Sequence, residues 1–125
     1  DDDLVAYDIY NFYVKYPYAA STPTETIQEQ MIYANGTVTS VKAELGTDAT
    51  GASFVIDLMN EGATINASTD IYTFNNVTDT VSINSRINTN TTLTANNVLQ
   101  LQIEQVGSTI IGQDLRVQVI VKRRD

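Results

Sequence analysis

"LQLQIEQVGSTIIGQDLRVQV", from Leu99 to Val119, decides how this chain reads. Two alternating stretches flank a glycine-marked segment that holds Ser108, with Glu104 before it and Asp114 after it. Alternation puts Leu99, Leu101 and Ile103 on one face of a strand and Gln100, Gln102 and Glu104 on the other. Val106 follows Ile103 by three, so the pattern predicts a bulge or strand end near Gln105. Gly107 and Gly112 let the chain turn, and alternation resumes through Leu115, Val117, Val119 and Val121. Read locally, the segment is the closing hairpin of a β-sandwich. Ser108 does not sit in a G-x-S-x-G elbow and no histidine exists to activate it, so the segment reads better as a turn than as a nucleophilic loop.

Working outward, further segments share the period of half-buried strands. Leu4 to Val14, "LVAYDIYNFYV", is the first, and Pro17 closes it. Tyr7, Tyr10 and Tyr13 do not share one parity, which predicts a bulge or a split in this strand. "SVKAEL" (Ser40 to Leu45) places Val41, Ala43 and Leu45 together. "SFVIDLM" (Ser53 to Met59) is apolar enough for a central strand. "TVSI" (Thr80 to Ile83) is short. Asn35-Gly36 and Asn60-Glu61-Gly62 are hairpin signals, and Gly46 and Gly51 bracket a short loop. "ETIQEQMIYA" (Glu25 to Ala34) suits a short helix and a strand equally. Ser85 to Asn97 reads as a polar loop or weak edge strand anchored by Ile87 and Leu93. About eight short strands with frequent turns predict an all-β antiparallel sandwich, a jelly roll, forming one domain over residues 1–125 with short charged tails.

Composition narrows the function classes. In 125 residues there is no Cys and no His, which excludes disulfides, thiol nucleophiles and imidazole catalysis. The formal charge of −8 disfavours nucleic acid and anionic membranes as partners, and no apolar run is long enough to span a bilayer. Asp1-Asp2-Asp3 and Lys122-Arg123-Arg124 read as solvated ends. Asp57, Glu61, Glu104 and Asp114 are the carboxylates available to a glycoside-hydrolase pair, Asp57 standing out among apolar neighbours. No spacing joins them into a motif, so no catalytic set is expected. Oxygen donors in "GTDATG", "NASTD" and the Asn-rich stretch suit calcium, but no EF-hand or acidic repeat orders them, and no cofactor is expected. Sequons occur at Asn35, Asn66, Asn76 and Asn90.

Seven tyrosines and no tryptophan leave two readings. They form one wall of the core with hydroxyls at its rim, or they are an exposed contact set. On the second reading the interface or ligand contacts are Tyr7, Tyr10, Tyr13, Tyr16, Tyr18 and Tyr72, with Asn88 and Asn90 from the Asn-rich stretch.

Three stretches together resemble small β-sandwich domains of tailed-phage virion proteins. "GTDATGASFVIDLMNEGATI" (Gly46 to Ile65) is similar to the G-T-x-P-T-G-A-S stretch of that family and the strand and turn after it. "LQLQIEQVGSTIIGQDLRVQV" is similar to its companion, with D-Q-V-G-S at the turn and G-x-D-L-x-V after it. "VKYPYAASTPTETIQEQMIYANGTVTSVKAEL" (Val14 to Leu45) fits its opening. The resemblance spans residues 13 to 121. Ala49 stands where that family often has Pro, Glu104 where it has Asp, and Asn66 to Asn97 follows it loosely. It implies a jelly-roll virion structural protein without enzyme activity, either a capsid decoration (cement) protein or a head or tail fibre-type domain. The implied partners are the major capsid protein or other virion proteins, and further copies of the chain in a homotrimer. A carbohydrate- or host-receptor-binding module on the same scaffold is the alternative, with a host glycan as ligand.

Overall fold

The computed structural model describes residues 6–17, 28–47, 49–52, 54–65, 72–74, 80–82, 91–110 and 112–124, with the main chain alone for 72–74 and 80–82. Ten strands follow in order: β1 (Tyr7–Val14), β2 (Gln28–Met31), β3 (Gly36–Thr47), β4 (Phe54–Asn60), β5 (Ala63–Thr64), β6 (Tyr72–Phe74), β7 (Thr80–Ser82), β8 (Thr92–Leu93), β9 (Val98–Val106) and β10 (Gln113–Arg123). They form two antiparallel sheets. The first runs β1-β10-β3-β7, with β8 beside β7 on the same edge of β3. The second runs β2-β9-β4, with β5 and β6 sharing the far edge of β4. The strand orders β1-β10-β3-β7 and β2-β9-β4-β6 are those of a jelly roll: chain neighbours mostly lie in opposite sheets.

Alternation explains which side chains meet between the sheets. From the first come Tyr10, Phe12, Val41, Ala43, Leu45, Leu115, Val117 and Val119; from the second come Phe54, Ile56, Leu58, Leu99, Leu101 and Ile103, and all are buried in one core. Each fully buried aliphatic or aromatic side chain contributes about 1.5–3 kcal/mol before chain entropy is counted.

Several expectations need correction. Leu99 to Val119 is not a hairpin. β9 pairs with β2 and β4, whereas β10 pairs with β1 and β3, so Gly107 to Gly112 carries the chain from one sheet to the other. Gly107 takes φ 101°, Gly112 N–H donates to Val106 O at 2.9 Å, and Thr50 holds the crossing through a bridge to Ile110. Asn35-Gly36 likewise turns between sheets, from β2 to β3. β1 carries no bulge: its register against β10 is continuous from Tyr7 to Val14, and the mixed parity means only that Tyr10 faces inward while Tyr7 and Tyr13 face outward. Lys122 and Arg123 are exposed as expected, but they belong to β10 rather than to a tail.

Other readings match. Asn60 pairs with Ala63 around Glu61 (φ 52°) and Gly62 (φ 83°), a two-residue turn with both central residues left-handed. The predicted irregularity in β9 lies one residue earlier than expected: Val55 pairs with Gln105 and Ile56 with Ile103, leaving Glu104 as the extra residue. The undecided segment Glu25 to Ala34 contributes strand β2 among its described residues. Leu93 is fully buried, whereas Ile87 lies outside the described residues.

β1 and β2 are the edge strands on the same side of the sandwich, and polar side chains sew them together. Gln28 and Gln30 pair with Leu101 and Leu99, so they point toward the other sheet. Gln28 Nε2 donates to Tyr13 O at 2.6 Å and Gln30 Nε2 donates to Asn11 O. These bonds satisfy main-chain carbonyls on an edge that otherwise invites strand addition.

Candidate docking face

The outer face of the first sheet gathers most of the exposed side chains that can recognise a partner. β1 projects Tyr7, Ile9, Asn11 and Tyr13; β10 projects Arg116, Gln118, Ile120 and Lys122; β3 adds Lys42 and Glu44. Antiparallel pairing sets them in rows: Tyr7 beside Lys122, Ile9 beside Ile120, Asn11 beside Gln118 and Lys42, Tyr13 beside Arg116 and Glu44. A shallow groove of about 380 Å³ runs over the last two rows.

Tyr13 is fixed within this groove. Its hydroxyl donates to Asp114 Oδ1 at 2.6 Å, and the Arg116 guanidinium lies over the ring at 5.6 Å from its centroid. Asp114 reaches it from a left-handed conformation, φ 55°, at the start of β10. The hydrogen bond to Asp114 holds the Tyr13 phenol neutral and pushes its pKa above the ordinary 10. Arg116 Nη1 also lies 3.4 Å from Glu44 Oε1, an exposed pair worth little by itself.

A second cluster closes the sheet's end. Asp8 is buried on β1, and Arg123 donates to both its oxygens, from Nε to Oδ2 at 2.8 Å and from Nη2 to Oδ1 at 2.9 Å. Tyr33 Oη donates to Asp8 Oδ1 at 2.9 Å. The Arg123 hydrogen bonds hold the Asp8 carboxyl below its ordinary value against the opposing effect of burial. Tyr10 lies beneath, its ring centroid 5.7 Å from that of Tyr33. Its hydroxyl is buried with no hydrogen bond of ordinary geometry among the described residues, and burial pushes its pKa up.

The sequence-derived contact set therefore divides. Tyr7, Tyr13 and Tyr16 are exposed, at 56%, 46% and 66%. Tyr10 is a correction: at 2% exposure it is a core residue and offers no ring to a partner. Tyr18, Asn88 and Asn90 lie outside the described residues, as does the side chain of Tyr72. Neither reading of the tyrosines as a single group holds, because one strand sends them both ways. Ile9, Tyr33, Lys42, Arg116 and Gln118 were not singled out. The outward parity of β10, opposite Leu115 and Val117, was the signal that marks Arg116 and Gln118.

The four carboxylates do not assemble. Asp57 accepts a bond from Thr64 Oγ1 at 2.8 Å, Glu61 Oε1 accepts the Val98 N–H at 2.7 Å, Glu104 is exposed at the bulge, and Asp114 serves Tyr13 on the other sheet. Among the described residues no group of three acidic side chains converges as a metal site.

Comparison with known proteins adds a likeness of fold. No family model matches the chain, and no curated protein matches it significantly. Among solved structures, a chain of the cyanophage Pam1 capsid asymmetric unit superposes with a TM-score of 0.60 at 13% identity, over 96% of this chain and 86% of that one. The likeness is one of fold. It covers nearly all of this chain and most of the other.

Proposed function

We propose that this chain is a non-enzymatic structural protein of a tailed-phage virion, a capsid decoration protein that works by docking on its neighbours. The observation that carries the reading is the likeness of fold, over nearly all of this chain, to a chain of a phage capsid asymmetric unit. The resemblance of Gly46 to Ile65 and Leu99 to Val119 to virion sandwich domains supports it independently. Its mechanism is burial of surface, with exposed Tyr and Arg side chains of the kind that dominate interfaces. Its location is the virion, its partners are the major capsid protein and further copies of itself, and a fibre-type placement uses the same physics.

Peptide mass spectrometry on gradient-purified particles tests this, with a density map locating the sandwich on the shell. Absence of the chain from every purified particle overturns the reading. A second reading, a glycan-binding module, is favoured by one observation: the groove sets the Tyr13 ring beside the amides of Asn11 and Gln118. A glycan array with no hits removes it.

A further inference from the structure

Charge on this chain is sorted between its two sheets. Six of its seven Lys and Arg residues are described: Lys15, Lys42, Arg116, Lys122, Arg123 and Arg124. All lie on β1, β3 or β10 or directly beyond their ends. Among the described residues of the second sheet and its β4–β5 turn there are only acids: Glu29, Asp57, Glu61 and Glu104. Of the described acids on the first sheet, Asp8 is paired with Arg123 and Glu44 with Arg116, while Asp114 accepts a hydrogen bond from the neutral Tyr13 phenol and keeps its charge. Among the described residues, the outer face of the first sheet thus carries three cations, Lys42, Arg116 and Lys122, against two acids, Glu44 and Asp114.

Four of the seven large exposed hydrophobics among the described residues belong to β1 or its end. Tyr7, Ile9, Tyr13 and Tyr16 belong to β1 or the residues just after it, and Met31 and Tyr33 sit at the adjoining edge. Ile110 is the one other large exposed hydrophobic among the described residues.

We propose that the outer face of the β1-β10-β3 sheet docks on an acidic protein surface, steered by Lys42, Arg116 and Lys122 and anchored by Tyr7, Ile9 and Tyr13. This rests on the virion reading above, which makes that surface part of a capsid protein. Complementary charge raises the rate of encounter and fixes orientation, whereas the aromatic and aliphatic anchors supply buried area. The paired Ile9 and Ile120 favour a protein over a glycan, because a hydroxyl-rich ligand gains little from aliphatic contact. The acidic second sheet keeps the opposite face off the same surface by like-charge repulsion.

Purified heads from the phage that carries the gene, prepared without this protein, are the probe. Binding of the whole chain is measured from about 0.05 M to about 0.5 M NaCl. Lys42→Glu with Lys122→Glu removes two cations that make no ion pair within the described chain, and adding Arg116→Glu extends the series. Glu29→Lys with Glu104→Lys is the control on the second sheet, and thermal melts establish that each variant is folded. The expected result is a loss of about 100-fold in affinity for the triple variant, with a flattened salt dependence, and no loss for the control. Wild type that binds while the triple variant binds equally well overturns the assignment of the face and leaves the virion reading standing. Equal loss in the control overturns it also. Wild type that fails to bind heads overturns both readings. Binding to hyaluronate instead of heads, with the same residue dependence, overturns the protein partner in favour of an acidic glycan.

Discussion

Arg123 Nε and Nη2 both reach the carboxylate of Asp8, at 2.8 and 2.9 Å, from strands that begin and end the described chain. The acid is buried and the guanidinium half-exposed, so the cost of breaking the pair depends on which partner is removed. Arg123→Leu strands a buried carboxylate and is expected to cost about 2–3 kcal/mol. Asp8→Asn leaves a neutral acceptor and costs less. The pH dependence follows from the direction of the Asp8 shift. Its folded pKa lies below the ordinary value, so the stabilisation is complete above the unfolded pKa and is lost as pH falls through the folded one. Urea melts at pH 7 and pH 3 check this: the gap between wild type and Asp8→Asn narrows at the lower pH.

Tyr10 and Tyr13 respond oppositely to the same change. Tyr10→Phe removes a buried hydroxyl that has no well-formed hydrogen bond, and is expected to be neutral or stabilising by up to about 1 kcal/mol. Tyr13→Phe deletes the bond to Asp114 and is expected to be destabilising. Both phenols are shifted up, Tyr10 by burial and Tyr13 by its hydrogen bond. The Tyr13 bond contributes stability below the phenol's unfolded pKa and loses it as pH rises through the folded one, whereas burial of Tyr10 only penalises its phenolate, lowering stability as pH rises past the unfolded value. Absorbance titration at the tyrosinate band tests it: each Phe variant loses a step lying above pH 10.

Gln28 and Gln30 protect the β1 edge, so replacing both with Ala is expected to cost about 1–2 kcal/mol and to expose the carbonyls of Asn11 and Tyr13. Amide exchange measures the loosening of β1, and light scattering reports strand-edge association. Unchanged exchange in β1 would show that the stitch is dispensable.

Gly62 and Gly112 are needed for different reasons. An added Cβ at Gly62 meets nothing within 4 Å, so Gly62→Ala costs only its φ of 83°, about 1 kcal/mol. At Gly112 the same Cβ lies 2.7 Å from Phe54 Cδ2, and overpacking costs about 1–3 kcal/mol. Phe54→Leu partly rescues Gly112→Ala and does nothing for Gly62→Ala. A double-mutant cycle by denaturant unfolding separates them.

Alternation in the sequence carried most of the fold. Leu99, Leu101 and Ile103, then Leu115, Val117 and Val119, face inward as their parity requires, and the irregular step at Val106 marks a real bulge. Pairing was not legible. Asn35-Gly36 and Gly107 to Gly112 have turn chemistry, but a turn specifies how the chain bends and not which strand receives it. That choice is settled by packing of two apolar faces, which no local window contains. The same limit hid the face proposed for docking. Ile9 looks like core on composition, and Gln28 and Gln30 look like surface. Their places are exchanged because β1 turns Ile9 outward, while β2 aims its glutamines at a neighbouring edge.

β10 lies in the middle of the first sheet, between β1 and β3, although it comes last among the strands. Tyr7 must find Lys122, and Thr37 must find the same residue from the other side. Nascent chain that has emerged only through β9 therefore holds β1 and β3 without the strand that joins them. Closure waits for synthesis to pass Arg123, and its rate is that of a high-contact-order β protein. Until then two long strand edges stand unpaired, and premature pairing between neighbouring chains is the hazard that this topology creates.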